Sequence, residues 1–259
     1  MKHFLLASIA MSCALAASEA EAALIRNPSF ESTPEVLSFA YSDWNVLSQS
    51  WDVIKGSGKG NSWAVFSIIP GWQTFYGPGI ELHASGTLEN PLNNPVNAVD
   101  GNTYVELDAH FSLNNVGHSN TGIFQLVNGL INGSFYDLSF WYRARTTETD
   151  DNGLNVYWAS PTTSLAQSTY VARYDYSQAD NNHENWVRYS IRLQATDTSM
   201  LLGFGGDGNA SWKGAETVNG SGKGAAIDNL NLEIVPTPAS AMLFMFGLTL
   251  LGLTRKFNR

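Results

Sequence analysis

Short apolar stretches in which every second residue is polar recur through the middle of the chain, each stopped by Gly, Asn, Asp or Pro. A period of two marks strands with one face on a core. Residues 63–69 run up to Pro70-Gly71, residues 79–83 follow a Gly-Pro turn, and residues 103–108 follow Asp100-Gly101-Asn102. Residues 122–127 lead to Asn132-Gly133, and residues 136–145 form the longest candidate. Residues 154–158, 186–193, 200–204 and 226–233 complete the set. No stretch of the middle carries the 3.6-residue period of an amphipathic helix. The pattern therefore predicts an all-β, antiparallel β-sandwich.

Both ends of the chain break this pattern. Lys2 and His3 precede an apolar stretch at 4–17, and Ala20-Glu21-Ala22 offers a small-x-small cleavage site. Residues 1–22 read as a secretory signal peptide, which is no part of the fold. Ala10-Met11-Ser12 makes a poor lipobox, so Cys13 leaves with the peptide. At the other end Val235 leads into Pro236-Thr237-Pro238, an apolar run at 239–253, and the bases Arg255, Lys256 and Arg259. That run of 15 residues is roughly 22 Å long as a helix, short against a hydrocarbon core of about 30 Å. Its basic end favours the cytoplasmic side.

A proline break, a short apolar helix and a basic stop together resemble the bacterial PEP-CTERM sorting tail. The resemblance implies transient retention in the inner membrane and cleavage by an exosortase around Val235, Pro236, Thr237 and Pro238. Delivery to the cell surface or extracellular matrix of a Gram-negative bacterium would follow. Thr237 stands where that motif has Glu, and a plain C-terminal anchor is the alternative. The chain thus divides into a signal peptide (1–22), a sandwich domain (23–234) and a sorting tail (235–259).

Charge narrows the partners. The whole chain carries −9. Removing both ends takes away the bases Lys2, Arg255, Lys256 and Arg259 but only the acids Glu19 and Glu21, so the domain is more acidic still. Such a surface repels nucleic acid and anionic headgroups and suits neutral glycans and Ca²⁺. Cys13 is the only cysteine, so no disulfide can staple the exported domain. Cohesion falls to a core drawn from 8 Trp, 10 Tyr and 13 Phe, or to a bound ion.

A further set of motifs runs along the domain in a recognisable order: Asn27-Pro28-Ser29-Phe30-Glu31, Ile69-Pro70-Gly71-Trp72, Gly79-Ile80-Glu81, and Asp100-Gly101 before Tyr104-Val105-Glu106-Leu107-Asp108. Ile123-Phe124-Gln125, the strand at 138–145, Trp186 and Ile227-Asp228-Asn229 complete it. The series resembles secreted galactose-binding-like jelly rolls akin to carbohydrate-binding modules. That likeness implies adjacent first and last strands tied by a structural Ca²⁺, with Glu31 and Asp228 as carboxylates and Asn27 and the Asp100 turn as further oxygens. Six to eight oxygen ligands is what Ca²⁺ demands. The bland alternative is that Glu31 caps a turn and Asp228 binds amides.

A sugar needs aromatic faces to stack on and planar polar groups to read its hydroxyls. Alternation puts Leu138, Phe140 and Tyr142 on one face and Ser139, Trp141, Arg143 and Arg145 on the other. The expected ligand face joins Trp141 and Arg143 to Tyr157 on the following strand, with Glu106 or Glu81 nearby, and Trp72 is a second stacking candidate. For each aromatic the competing role is core packing. Catalysis finds little footing. The five histidines lack metal-ligand spacing and no Gly-x-Ser-x-Gly elbow occurs. Glu81, Glu106 and Asp108 could pose as a glycosidase pair only at separations that sequence does not set. The two Gly-Ser-Gly-Lys-Gly segments lack the rest of a phosphate loop. The Asp150-Asp151-Asn152-Gly153 loop lacks an EF-hand's closing Glu. The expectation is a non-enzymatic domain that binds extracellular polysaccharide. The alternative is a structural matrix or surface protein that associates with itself or other proteins.

Overall fold

A computed structural model describes residues 23–33, 63–66, 68–89, 94–110, 118–146, 152–175, 185–207 and 224–236. The signal peptide, the apolar run at 239–253 with its basic end, Thr237 and Pro238 lie outside these residues, as do Glu148 to Asp151 of the loop before Asn152. Among the described residues no helix is long and apolar enough to cross a membrane.

Alternating apolar residues extend and pair as the pattern requires. The chain enters through β1 (Trp63–Phe66), β2 (Ile68–Ile69), β3 (Trp72–Tyr76) and β4 (Ile80–Ala84), then the small strands β5 (Thr87–Glu89) and β6 (Asn94–Val96). It continues through β7 (Thr103–Glu106), β8 (Asp108–His110), β9 (His118–Asn120), β10 (Gly122–Asn128) and β11 (Phe135–Arg143). β12 (Gly153–Ala159), β13 (Ala172–Tyr174), β14 (Val187–Gln194), β15 (Ser199–Asp207) and β16 (Ala226–Ile234) finish it. A single turn of 3₁₀ helix, Leu165–Gln167, lies between β12 and β13.

Two six-stranded antiparallel sheets result. The first has the order β1-β4-β7-β16-β11-β14 and the second β13-β12-β15-β10-β3-β2. From β10 to β12 and again from β13 to β16 the chain changes sheet at each connection, the winding of a jelly roll. β5 pairs with β6 and β8 with β9 as small outlying ribbons. Residues 63–69, expected as one strand, divide into β1 and β2 in opposite sheets.

Aromatic burial replaces the missing disulfide. Leu138, Phe140 and Tyr142 of β11 point inward as the alternation requires. Phe140 meets Phe204 of β15 at 5.3 Å between ring centroids, and Phe204 meets Trp72 of β3 at 6.1 Å. Phe30 reaches in from the N-terminal segment to pack on Trp72 at 5.6 Å. Each such side chain stabilises the fold by roughly 1.5–3 kcal/mol on burial.

One irregularity sets the aim of Asp228. Ser139 pairs with Asn231 and Trp141 with Asp228, so β16 carries one residue more than β11 between these pairs. Asn229 takes up this bulge at φ 48°. Ile227 and Leu230 both stay in the core while Asp228 and Asn229 intervene.

Candidate functional site

Three groups of side chains carry the candidate chemistry. The first lies where the two ends of the domain meet. Glu31 Oε1 accepts hydrogen bonds from the Asn102 N–H (2.8 Å), the Thr103 N–H (2.7 Å) and the Thr103 hydroxyl (2.6 Å). Asp228 Oδ2 accepts from the N–H groups of Val99 (2.6 Å) and Asp100 (3.1 Å), and its Oδ1 from that of Asn229 (2.7 Å). The two carboxylates therefore grip one loop from either side. Gly101 in that loop has φ 73°, and a Cβ on it would sit 2.4 Å from Glu31 Cδ, so only glycine fits.

The rest of the junction is built as closely. Ser29 Oγ donates to Asp100 Oδ2 at 2.6 Å, and the Leu230 N–H donates to the Pro28 carbonyl at 3.0 Å. Asn27 spends its amide inside the turn: its oxygen accepts from the Ser32 N–H, and its nitrogen donates to the carbonyls of Ser32 and Pro70. Asn27, Phe30 and Asn229 are the positive-φ non-glycine residues among those described, and all three belong here. Such conformations cost energy and concentrate where structure is tied to function. Among the described residues no Lys, Arg or His pairs with Glu31, Asp100 or Asp228. Burial, opposed by its three amide donors and aided by Asp100, pushes the Asp228 carboxyl up to about 7. The groups here are oxygen donors, the class Ca²⁺ takes. Glu31 Oε1 and both oxygens of Asp228 already accept hydrogen bonds, however, the arrangement of a capped turn. Among the described residues Glu31, Asp100 and Asp228 do not all three converge closely enough to share one ion.

The second group lies on the outer face of the first sheet. Glu81 of β4 and Glu106 of β7 stand directly opposite each other. His83 Nε2 reaches both, at 3.0 Å from Glu81 Oε1 and 2.8 Å from Glu106 Oε2. Arg145 also bonds Glu106 Oε2, and the Gly224 N–H donates to Oε1 at 2.7 Å. Tyr104 stacks on the imidazole at 5.2 Å. Burial alone would lower the pKa of His83, but its bonds to Glu106 and Glu81 outweigh that and hold it at about 9. Burial would likewise raise Glu106, yet Arg145 and then His83 keep it below the ordinary carboxylate range. The three ligand atoms of Glu81, His83 and Glu106 lie within 4.8 Å of one another, as in a metal site. With a proton on His83, however, two negative charges already face two positive ones.

The expected ligand face does not assemble. Glu106 is fully buried in that ion cluster, and Arg143 is 5% exposed on the end of β11. Trp72 is fully buried between Phe30 and Phe204, and its indole N–H donates to the Asn27 carbonyl at 3.1 Å. It is a core residue because the Pro-Gly turn starts a strand directly at Trp72. Trp141 stays partly exposed on the outer face of the first sheet, whereas Tyr157 sits on the second sheet. β11 and β12 follow each other in sequence but cross between layers, so Trp141 and Tyr157 face opposite sides.

The third group was not legible as a site, and only Tyr157 belongs to it among the expected residues. Across the outer face of the second sheet Arg173, Asn155, Gly205, Gly122 and Tyr76 lie side by side. The next row holds Tyr157, Gly203, Phe124 and Gln73. The glycines clear the floor for rings: a Cβ on Gly205 would lie 2.2 Å from Tyr76 Oη, and one on Gly122 would lie 2.6 Å from the Phe75 ring. Phe75 meets Tyr157 edge-on at 5.3 Å and Phe124 at 6.2 Å. Tyr76 donates to the Gly206 carbonyl at 2.7 Å, and Arg173 bonds Asp207 (2.9 Å) and Asp175 (3.1 Å). Phe75 and Phe124 remain half-buried, and Tyr157 is 8% exposed. Asn155 Oδ1 is buried and has no hydrogen-bond partner. Phe124 also borders a groove of about 480 Å³ with Arg26, Ile68, Pro70, Gln73 and Leu126.

No protein-family model matches the chain, and no curated protein matches it. Among solved structures it is similar to TmCBM61 in complex with β-1,4-galactotriose, at 14% identity, TM-score 0.41, 83% of this chain and 99% of that one. A CBM4 structure aligns at 14% identity, TM-score 0.36, over 82% and 99%. The K1 cleaved adhesin domain of Lys-gingipain from Porphyromonas gingivalis aligns at 13% identity, TM-score 0.38, over 64% and 90%. With likeness of this degree, the fold rests on the chain's own sheet order.

Proposed function

We propose that the domain binds a neutral extracellular polysaccharide without cleaving it, through the outer face of the second sheet. The supporting observation is one surface that combines the rings of Phe75, Phe124 and Tyr157 with the fixed Arg173–Asp207 pair, whose carboxylate is the exposed acceptor. Rings offer apolar faces to a pyranose, and an oriented acceptor reads a hydroxyl. Arg173 is already neutralised by Asp207 and Asp175, so it is not free to pair with an acidic sugar. The non-catalytic reading is supported by Glu81 and Glu106, whose carboxylates are fully buried and bound to His83. A panel of galactan, glucan and xylan tests the proposal. Saturable binding to one of them that Phe124→Ala weakens about tenfold supports it. Absence of binding together with concentration-dependent self-association would favour a structural matrix protein.

We propose also that Ca²⁺ binds at the terminal junction with Glu31 and Asp228 as its carboxylates, and that its role is to tie β16 to the N-terminal segment. The Asn27 side chain, expected as a further ligand, is bonded to Ser32 and Pro70. Calorimetric titration with Ca²⁺ tests this, and silence in that titration would remove the ion. Export and sorting rest on the signal peptide at 1–22 and the tail at 235–259, with an exosortase-type enzyme and the inner membrane as transient partners. Deleting residues 239–259 should divert the protein from the envelope in cell fractionation.

A further inference from the structure

Both ends of the described chain leave the sandwich at one end. β16 closes at Ile234, the Val235 N–H donates to the Phe135 carbonyl at 2.8 Å, and Ala23 and Leu24 line a groove with Ile234. That groove, about 380 Å³, also takes in Arg26, Leu126 and Ile131. It shares Arg26, Leu126 and Asn128 with the larger groove that runs on to Ile68. Six large apolar side chains are conspicuously exposed among the described residues, and four of them, Ile68, Leu126, Ile131 and Phe135, lie around these grooves or beside the tail's exit. Ile131 at the turn tip is 58% exposed and Phe135 47%.

Charge sets this patch apart from the rest of an acidic protein. Among the described residues Arg26 is the only charged one lining either groove. The acids of this end, Asp137, Asp197 and Glu233, belong to β11, the β14–β15 turn and β16, on the flank of the first sheet. An apolar patch of this kind on a soluble domain marks something that covers it. The chain itself says what is close by. Only four residues, 235–238, separate Ile234 from the start of the apolar run at 239, a reach of about 17 Å when extended.

We infer that this end of the sandwich is a membrane-facing surface, on which Ile131, Phe135 and Leu126 enter the headgroup region of the bilayer while the tail holds the protein there. The inference rests on the reading of residues 235–259 as a membrane-retained tail. Exposed aliphatic and aromatic side chains with an interfacial Arg suit that layer. On the first-sheet flank Asp137 is paired with Arg192, and the remaining acids Asp197 and Glu233 turn that flank from the lipid so that the β10 side meets it. Before release the patch is covered, and release exposes it.

The test uses the full chain in vesicles of phosphatidylethanolamine and phosphatidylglycerol. Cys13, the only cysteine, is replaced by Ala so that an environment-sensitive dye can be placed by Ile131→Cys, or by Asn97→Cys on an exposed site remote from the tail. In floated vesicles the dye at 131 should shift to the blue and be quenched by spin-labelled lipid, and the dye at 97 should do neither. Phe135→Asp with Leu126→Asp should remove the effect at 131 while the protein still floats. Equal, unquenched emission at both sites in floated protein overturns the docked surface alone. Failure to float overturns the tail reading and the docking together.

Discussion

The outer faces of the two sheets solve opposite problems with similar residues. On the first sheet Glu81, His83, Glu106 and Arg145 form an ion cluster sealed under Tyr104 and Trp186, with Gly224 donating an amide to it. On the second, glycines keep the sheet surface low so that Phe75, Tyr76 and Phe124 lie across it half-buried beside the more deeply set Tyr157. The first face invests its polar groups in holding strands together, and the second leaves ring surface and the Asp207 carboxylate accessible. Polar residues on an outward-facing strand position are therefore no guide to a binding face. What decides is whether another layer closes over them.

The sealed face is where this contrast breaks most readily. Glu106→Gln leaves His83 and Arg145 without their shared carboxylate and should destabilise the domain by about 3–5 kcal/mol, read by chemical denaturation. Retention of wild-type stability would mean the cluster is open to water. A pH series comes next. His83 is raised from 6.5 to about 9 in the folded state, so its contribution is complete below about pH 6.5 and is lost as pH climbs through 9. That loss should approach 3 kcal/mol on the order of 1.36 kcal/mol per unit. His83→Gln should be less stable at pH 6.5 and flatter across this window.

Chelation ranks third. An ion at Glu31 and Asp228 present at about 100 times its Kd contributes roughly 2.7 kcal/mol, which differential scanning calorimetry with and without chelator would detect as a Tm difference of about 5–10 °C. Because Asp228 is raised to about 7, ionising it costs stability as pH rises from about 4 through 7 without the ion. Ca²⁺ should erase that slope. At the open face Phe124→Ala should weaken glycan binding about tenfold, ~1.4 kcal/mol, with an unchanged melt. The smallest change belongs to Trp141→Ala on the sealed side, which should leave glycan affinity at wild type in the same assay.

Much of the architecture could be read from alternation alone. β4, β7, β10, β11, β12, β14, β15 and β16 each overlap an expected stretch, most of them running one to three residues past its bounds, and the inward set Leu138, Phe140 and Tyr142 is correct. β3 escaped because Pro70-Gly71 reads as the end of structure, whereas the chain turns there and Trp72 begins a strand. The same oversight made a core tryptophan look like a stacking residue. Periodicity reports which face of its own strand a residue occupies but not which sheet the strand joins, so Trp141 and Tyr157 were expected together. Phe75 stayed invisible for a further reason. It sits at the β-bulge where β3 meets β10, outside strict alternation. The Glu31–Asp228 junction was accessible because its motifs lie at the two ends of one ordered series.

The extra residue in β16 has a practical meaning. Removing Asn229 would bring Ser139–Asn231 and Trp141–Asp228 into a plain ladder while Ile227, Leu230 and Leu232 kept their inward orientation. The deletion would thus spare the interior and strike only the aim of Asp228 at the Val99–Asp100 amides. A single excision there separates what makes the sandwich solid from what fastens its two ends.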